Sequence, residues 1–525
     1  MRLFFKIINI FLVVVIIFIA GFMVGKKYDI AVDENDKLVG LEYSDNEQKI
    51  RRLVSLIDNQ YIENVNTDSL VDKTITQMLS NLDPHTTYLD KKSIQKVTQQ
   101  MSGSFQGIGV NVKSYNDTIV ISRVVAESPN VGKLFPGDRI LKIDGIDIMD
   151  LKAEQATALL KGGNESEVSL TVLRNKSLVE INAKKGSLPL PSVVSSFMIN
   201  DEMGYIKLVR FAEQSANEVH AALEKLNKKG MKSLVLDLRG NPGGIMTVAE
   251  QIADEFLKEK ELIVYTQDKE EKRKYIYATS KGSFEHGKVY VLIDENSASA
   301  SEIVSGALQE YGRATIIGRR SFGKGLVQRE ISLGDGTRLR LTVARYYTPS
   351  GRSIQRPYDE GNSAYSDEIY RRLQSGELYT KDSIKFNKNL EYKAPSGKIV
   401  YGGGGIVPDE FVPIDSSKLG QWIYHSSTRD TEDFIFKKVE ENRYNPFWLN
   451  ENIFLSHYDV TPVYNEFLGI MGIRGRNVNE HDEQTLKDFL KASIADELFG
   501  TNALYRAWIP QDSMIQKVFE IENPT

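Results

Sequence analysis

Val289 to Gly312 reads VYVLIDENSASASEIVSGALQEYG. The β-branched and apolar run Val289–Ile293 predicts a buried strand. The polar break Asp294-Glu295-Asn296 ends it, and a helix starting near Ser299 or Ser301 then places Ile303, Val304, Ala307 and Leu308 on one face. A buried strand leading directly into an amphipathic helix is the repeating unit of an α/β layer fold. The junction also leaves a small serine at a strand-to-helix turn, where orphan helix N–H groups and the positive dipole end favour a developing oxyanion. Two readings fit that serine. It is placed as a nucleophile would be, and Ser299-Ala-Ser-Glu302 also spells the S-x-x-E capping box, in which serine and glutamate only satisfy backbone donors.

The next segment adds chemistry. Ala314–Gly318 predicts a second buried strand, Arg319–Gly325 (RRSFGKG) a loop, and Leu326–Ile331 a return to extended structure. Lys324 lies between two glycines and between two apolar strands, so a desolvated amine is expected, and burial disfavours the ammonium form. A lysine so placed can take a proton from serine. Gln328, four residues on, falls on the same face of a strand and can hold the amine. Gly318–Lys324 also spells G-x-x-x-x-G-K, but Gly325 replaces the Ser or Thr of a phosphate loop and a strand follows where a helix is needed.

Upstream, strand Gly204–Leu208, helix Ala216–Lys228, strand Ser233–Leu238 and helix Met246–Lys258 continue the alternation, with Arg239-Gly-Asn-Pro-Gly-Gly244 at one turn. That turn can present a backbone N–H or simply join a strand to a helix. Downstream, Asp335-Gly336 predicts a hairpin between Leu326–Leu333 and Thr337–Tyr347. The polar, tyrosine-rich Pro357–Ser396 is expected to be a surface insertion. Val400–Pro413 returns to the core, and Thr431–Thr525 carries helical stripes such as Leu486, Phe489, Leu490, Ile494 and Leu498.

The words SASASE (Ser297–Glu302), GRRSFGKGLVQ (Gly318–Gln328) and LDLRGNPGG (Leu236–Gly244) together resemble the carboxyl-terminal processing, or tail-specific, serine peptidases. The resemblance runs from about Glu42 to Pro413. It implies Ser299 as nucleophile, Lys324 as its base at the family's spacing of 25 residues, and Gln328 as the lysine's helper. It further implies an oxyanion hole from the backbone of Gly243 or Gly244 together with Ala300. The core it implies is crotonase/Clp-protease-like, a likeness that keeps an acyl-CoA enzyme as a distant alternative. Within Ser104–Lys185, FQGIGV and SPNVGKLFPGDRILKIDG resemble a PDZ domain of bacterial proteases. Gly107 and Gly109 bracket Ile108, so backbone N–H groups there can capture a terminal carboxylate while a peptide tail adds as a strand, or the glycines mark only a bulge.

At 525 residues, three to five domains are expected. The composition, 41% hydrophobic and 26% charged with net charge −5, offers no basic excess for nucleic acid, and the lack of cysteine excludes disulfides and thiolate metal sites. Ile7–Val24 is an apolar run close to the ~20 residues that cross a bilayer, read as an uncleaved anchor. The organisation expected is an anchor and linker (1–42), a helical region (43–102) with a Gln48–Tyr61 stripe of Ile50, Leu53, Val54 and Ile57, a PDZ domain (103–186), the peptidase core (187–420, insertion near 357–396) and a helical extension (421–525). His85 sits in an Asp-Pro turn and is read as structural; His286 is the histidine nearest Ser299 in sequence, leaving a Ser-His arrangement open. The function expected is a serine endopeptidase, single-pass in the inner (cytoplasmic) membrane with its catalytic domain facing the periplasm or cell exterior. It would act on proteins or peptides with free C-termini, with no metal or cofactor implied and a homo-oligomer or regulatory partner possible. The competing class is a PDZ scaffold or adaptor on an inactive peptidase core.

Overall fold

The computed structural model describes residues 44–115, 118–149, 151–161, 166–415, 429–443, 445–470 and 479–523. The expected anchor and linker, residues 1–42, lie outside the described residues; among the described residues no helix is long and apolar enough to cross a membrane. The chain forms two compact units, one made of residues up to Ile94 with Gln328–Thr342, the other of Gln95–Val327 with Val343 onward.

In the first unit, helix Asp45–Gln60 is opened by a capping box between Ser44 and Glu47, and helix Thr67–Leu79 by the Asn66 side chain. The predicted stripe is helical, yet neither helix buries a residue: Ile50 and Leu53 stay 44% and 56% exposed. Strand Thr87–Leu89 pairs antiparallel with Arg338–Arg340. Asp83 accepts from the N–H groups of His85 and Thr86 and from the Thr342 hydroxyl, so the turn that holds His85 is a structural knot. The predicted hairpin closes at Leu333 N–H to Thr337 O.

The second unit begins with a PDZ-like sheet. Its edge is β1 (Val110–Tyr115), paired antiparallel with β2 (Thr118–Val124), and helix α1 (Ala153–Lys161) packs beside it. Ile108, Ile121, Ile140, Leu170 and Leu160 fill the core beneath.

The larger core is a six-stranded sheet in the order β3 (Val193–Met198), β4 (Met203–Leu208), β5 (Ser233–Asp237), β6 (Lys288–Ile293), β7 (Thr315–Gly318), β8 (Glu410–Phe411). Only the β3–β4 pair is antiparallel. Every residue of β4 and β5 is buried, as continuous apolar runs in a parallel sheet require, because helices cover both faces. Alternation divides the side chains. Ile206, Leu236 and Val291 face α2 (Ser215–Asn227), α3 (Met246–Asp254) and α4 (Ala300–Glu310).

Tyr205, Val235, Tyr290 and Leu292 point the other way and meet Met514, Ile515 and Val518. Residues 357–396 are mostly exposed, as a surface insertion would be, but the segment also has buried anchors: Tyr365, Leu378 and Ile384, and Arg372 on helix α5 (Glu368–Gln374). The reason is charge pairing, since Arg372 and Arg320 share Glu368 and Glu377 there.

The C-terminal extension is helical as expected, with α6 (Glu480–Phe499) burying Leu486, Leu490 and Ile494. Its last helix, α7 (Ser513–Glu522), supplies the Met514, Ile515 and Val518 that cover the second face of the sheet. Each such buried side chain is worth roughly 1.5–3 kcal/mol, so the extension is part of the fold.

Candidate active site

Strands β5, β6 and β7 are parallel neighbours, so the loops leaving their carboxyl ends must meet. In open α/β sheets that end is where ligands bind. The three loops carry the three motifs singled out in the sequence: Gly243 and Gly244 after β5, Ser299 after β6, Lys324 after β7.

They are tied by hydrogen bonds. Ala298 N–H and the Ser301 hydroxyl donate to the Asn241 carbonyl (3.0 and 3.0 Å), Gly240 N–H to Asp294 Oδ1 (2.9 Å), and Phe322 N–H to the Ser297 carbonyl (2.9 Å). Packing is close enough that a Cβ on Gly243 would lie 2.8 Å from Ser299 Cβ and 2.9 Å from Ala300 N, and one on Gly244 would lie 2.1 Å from the Phe211 carbonyl oxygen. Both positions also have positive φ (+96° and +152°), so glycine is required twice over.

Ser299 is the N-cap of α4, half-buried, with φ 55° and ψ −112°. A non-glycine residue there is strained by about 1–3 kcal/mol, and such strain persists only where surroundings over-determine it. The surroundings here are Glu302 and Tyr346. Glu302, fully buried, accepts from Ser299 N–H at 2.8 Å, which is half of the predicted capping box, while the buried Tyr346 hydroxyl donates to the Ser299 carbonyl at 3.1 Å.

The same two side chains hold Lys324. Glu302 also accepts from Lys324 N–H (2.9 Å), Gly323 N–H (2.7 Å) and the Ser321 hydroxyl (2.5 Å), and the single Tyr346 proton is shared with the Lys324 carbonyl, the nearer of its two acceptors (2.6 Å). Burial raises the Glu302 carboxyl above its ordinary range, and these four donors pull part of the way back. The Gly323 carbonyl receives Arg356 N–H (3.0 Å), and Gly325 N–H donates to Gln355 Oε1 (2.8 Å). Both peptide bonds of Lys324 are therefore fixed at their N–H and C=O ends. The serine and the lysine share one carboxylate oxygen and one hydroxyl.

Of the remaining expectations, Gln328 lies half-buried on strand Leu326–Ser332, at the start of the segment that belongs to the first unit. Between the two glycines, Gly243 already donates its N–H to Asn241 Oδ1 (2.9 Å). Ala300 is the first residue of α4, so its N–H has no intrahelical acceptor. His286 precedes β6 and sits exposed at the end of the strand opposite Ser299, which removes it as a partner. Among the described residues no group of side chains could hold a metal ion.

Behind the glycine turn lies a charged cluster. Asp237 accepts from Tyr205 (2.7 Å), Lys207 (2.9 Å) and Arg239, and Arg239 also forms a bidentate pair with Asp512 at the start of α7 (3.0 and 2.7 Å). Burial alone would raise the Asp237 carboxyl, but Arg239 and Lys207 overcome it and hold it well below the usual range. The sequence offered no sign of Tyr346, Gln355 or Asp512, because an isolated polar residue carries no periodicity of its own; Glu302 was visible only as a helix cap.

In the PDZ-like sheet, Ile108 is buried and its carbonyl accepts from the Ser128 hydroxyl (2.7 Å) and Asn130 Nδ2 (2.8 Å), while the Gly109 carbonyl accepts from Val125 N–H (2.9 Å). In a trans peptide C=O and N–H point opposite ways, so the N–H groups of Gly109 and Val110 turn away from those donors. Gly109 has φ +74° and a Cβ there would meet Ser128 Oγ at 2.5 Å. Gly107 ends the short strand Ser104–Gly107, paired with Gly186–Pro189.

Residues 202–360 match Peptidase family S41, residues 96–173 the PDZ domain, and residues 23–93 the activating protease CtpB N-terminal domain. The carboxy-terminal processing protease CtpB of Bacillus subtilis is 33% identical over 352 residues, covering 65% of this chain and 72% of the relative. The chain belongs to peptidase family S41. It is a serine-type peptidase of the carboxy-terminal processing group with a PDZ domain, an α/β core and a helical C-terminal region. A second S41 relative, the carboxy-terminal-processing protease of Bartonella bacilliformis, is 36% identical over 308 residues, 57% of this chain and 70% of its own length. Among solved structures, the photosystem II D1 C-terminal processing protease is similar over 71% of this chain and 89% of its own, at 21% identity and a TM-score of 0.38.

Proposed function

We propose that this S41 peptidase is an endopeptidase that reads the C-terminal tails of extracytoplasmic proteins and cleaves them with a Ser/Lys dyad. Ser299 attacks the scissile carbonyl, and Lys324 takes its proton and later returns it to the leaving amine. Gln328, on the strand Leu326–Ser332 that follows the Lys324 loop, is the lysine's helper that the family resemblance implies. Ala300 N–H and one N–H of the Gly243-Gly244 turn hold the oxyanion; the bond from Gly243 N–H to Asn241 favours Gly244 for that role. The observation that carries the reading is the shared suspension of Ser299 and Lys324 from Glu302 and Tyr346, which fixes two reactive residues from different loops against each other.

The PDZ domain captures the tail. Its support is the outer edge of β1, which pairs with no strand among the described residues, beside outward-turned Gly109 and Val110 N–H groups suited to a carboxylate and an added strand. The Ile7–Val24 run anchors the enzyme as a single pass in the inner membrane, its catalytic domain outside.

The test is cleavage of an unstructured polypeptide by the wild-type chain and by Ser299→Ala. The alanine variant, unfolding within about 1 kcal/mol of wild type as loss of a cap allows, is inactive. An active variant overturns the reading, and an inactive wild type that still binds peptide tails supports a PDZ adaptor.

A further inference from the structure

The match to the peptidase family ends at residue 360, just before α5. That helix nevertheless reaches the loop that carries Lys324. Arg372, 2% exposed, donates Nη1 to the carbonyls of Arg320 (3.1 Å) and Ser321 (2.8 Å) and Nη2 to that of Phe322 (3.4 Å). Its Nε pairs with Glu368 (3.1 Å), and Arg320 in turn donates to both oxygens of Glu377 (2.6 and 2.8 Å). Burial and then the charge of Arg320 pull the Arg372 guanidinium down to about 10, so it remains charged at neutral pH.

The three carbonyls belong to three consecutive peptides, and each peptide is held at its other end as well. Ser321 N–H donates to the Ile406 carbonyl (3.0 Å), Phe322 N–H to the Ser297 carbonyl (2.9 Å) and Gly323 N–H to Glu302 (2.7 Å). Because C=O and N–H are antiparallel in a trans peptide, Arg372 on one side and Glu302 with the loop of Ser299 on the other clamp the planes that lead into Lys324. Only a guanidinium fork can serve three carbonyls while pairing with a carboxylate; a lysine offers one nitrogen.

We propose that Arg372 is a positioning residue for the base: the insertion, through the carbonyls of residues 320–322, sets where the Lys324 amine stands relative to Ser299. This rests on the Ser299/Lys324 reading above. Without Arg372 the carbonyls of residues 320–322 lose the guanidinium that holds them from that side, the peptides leading into Lys324 can turn, and Gly323 N–H leaves Glu302. Lys324 then shifts while the nucleophile and the PDZ groove do not.

The experiment measures the rate at which a fluorophosphonate labels Ser299 as a function of pH, together with kcat and KM for a peptide, in wild type, Arg372→Ala and Arg372→Lys. Arg372→Lys keeps the charge beside Glu368 and Glu377 and guards against a variant that fails to fold. The expected result is a loss of about tenfold or more in labelling rate and kcat in both variants, the scale of a 1 Å misplacement, with KM little changed and the pH of half-maximal labelling displaced. Wild-type labelling rate and pH profile in a folded variant, even one that melts earlier, would overturn the proposal. A wild-type enzyme that is not labelled at Ser299 would instead refute the dyad itself, a distinguishable outcome.

Discussion

Glu302→Gln tests how the site is held together. Four donors converge on the Glu302 carboxylate: Ser299 N–H and Lys324 N–H on one oxygen, Gly323 N–H and the Ser321 hydroxyl on the other. A glutamine oxygen can keep the first pair, and the Ser321 hydroxyl can rotate to accept from the amide. Gly323 N–H then faces an NH₂ group, and a buried orphan donor costs about 1–3 kcal/mol. The two retained bonds fall from charge-assisted to neutral acceptance, about 1 kcal/mol each. The total is about 3–5 kcal/mol, read from urea unfolding midpoints at constant slope. Because the orphan adjoins Lys324 and the weakened bonds hold Ser299 and Lys324, kcat should fall by more than the fraction unfolded can explain. A change below about 1 kcal/mol with wild-type kcat would refute the suspension of both residues from one carboxylate.

Two further outcomes follow from the same geometry. Lys324→Arg keeps charge but cannot give up its proton near neutral pH, so it should be as inactive as Lys324→Ala; retained activity in a cleavage assay would show another base. Amidating the C-terminus of a peptide substrate removes the charge that the Gly109 and Val110 N–H groups would read, so its cleavage rate should fall below that of the free acid, and equal rates would place tail reading elsewhere.

Much of the fold could be read from residues alone because parallel strands buried on both faces are continuous apolar runs, and Val289–Ile293 or Ser233–Asp237 look like nothing else. Ser299 and Lys324 were visible because each sits where a buried strand stops and small residues begin. Arg372 was not. It is buried by pairing with Glu368 and three carbonyls, and hydrophobic periodicity cannot see a charge buried by its partners, so a polar stretch read as surface. The helical stripes expected in Thr431–Thr525 did not say what they would cover, and the helix Ser513–Glu522 within that stretch covers the far face of the central sheet. In the opposite direction, the stripe of Ile50 and Leu53 was legible as a helix but is not buried.

The most direct measurement is the site of acylation. Incubating the full chain with a slowly deacylated ester and mapping the adduct by peptide mass spectrometry should place the acyl group on Ser299, with none in Ser299→Ala and no turnover by that variant. An acyl group on any other residue, or hydrolysis that persists in Ser299→Ala, would contradict the assignment.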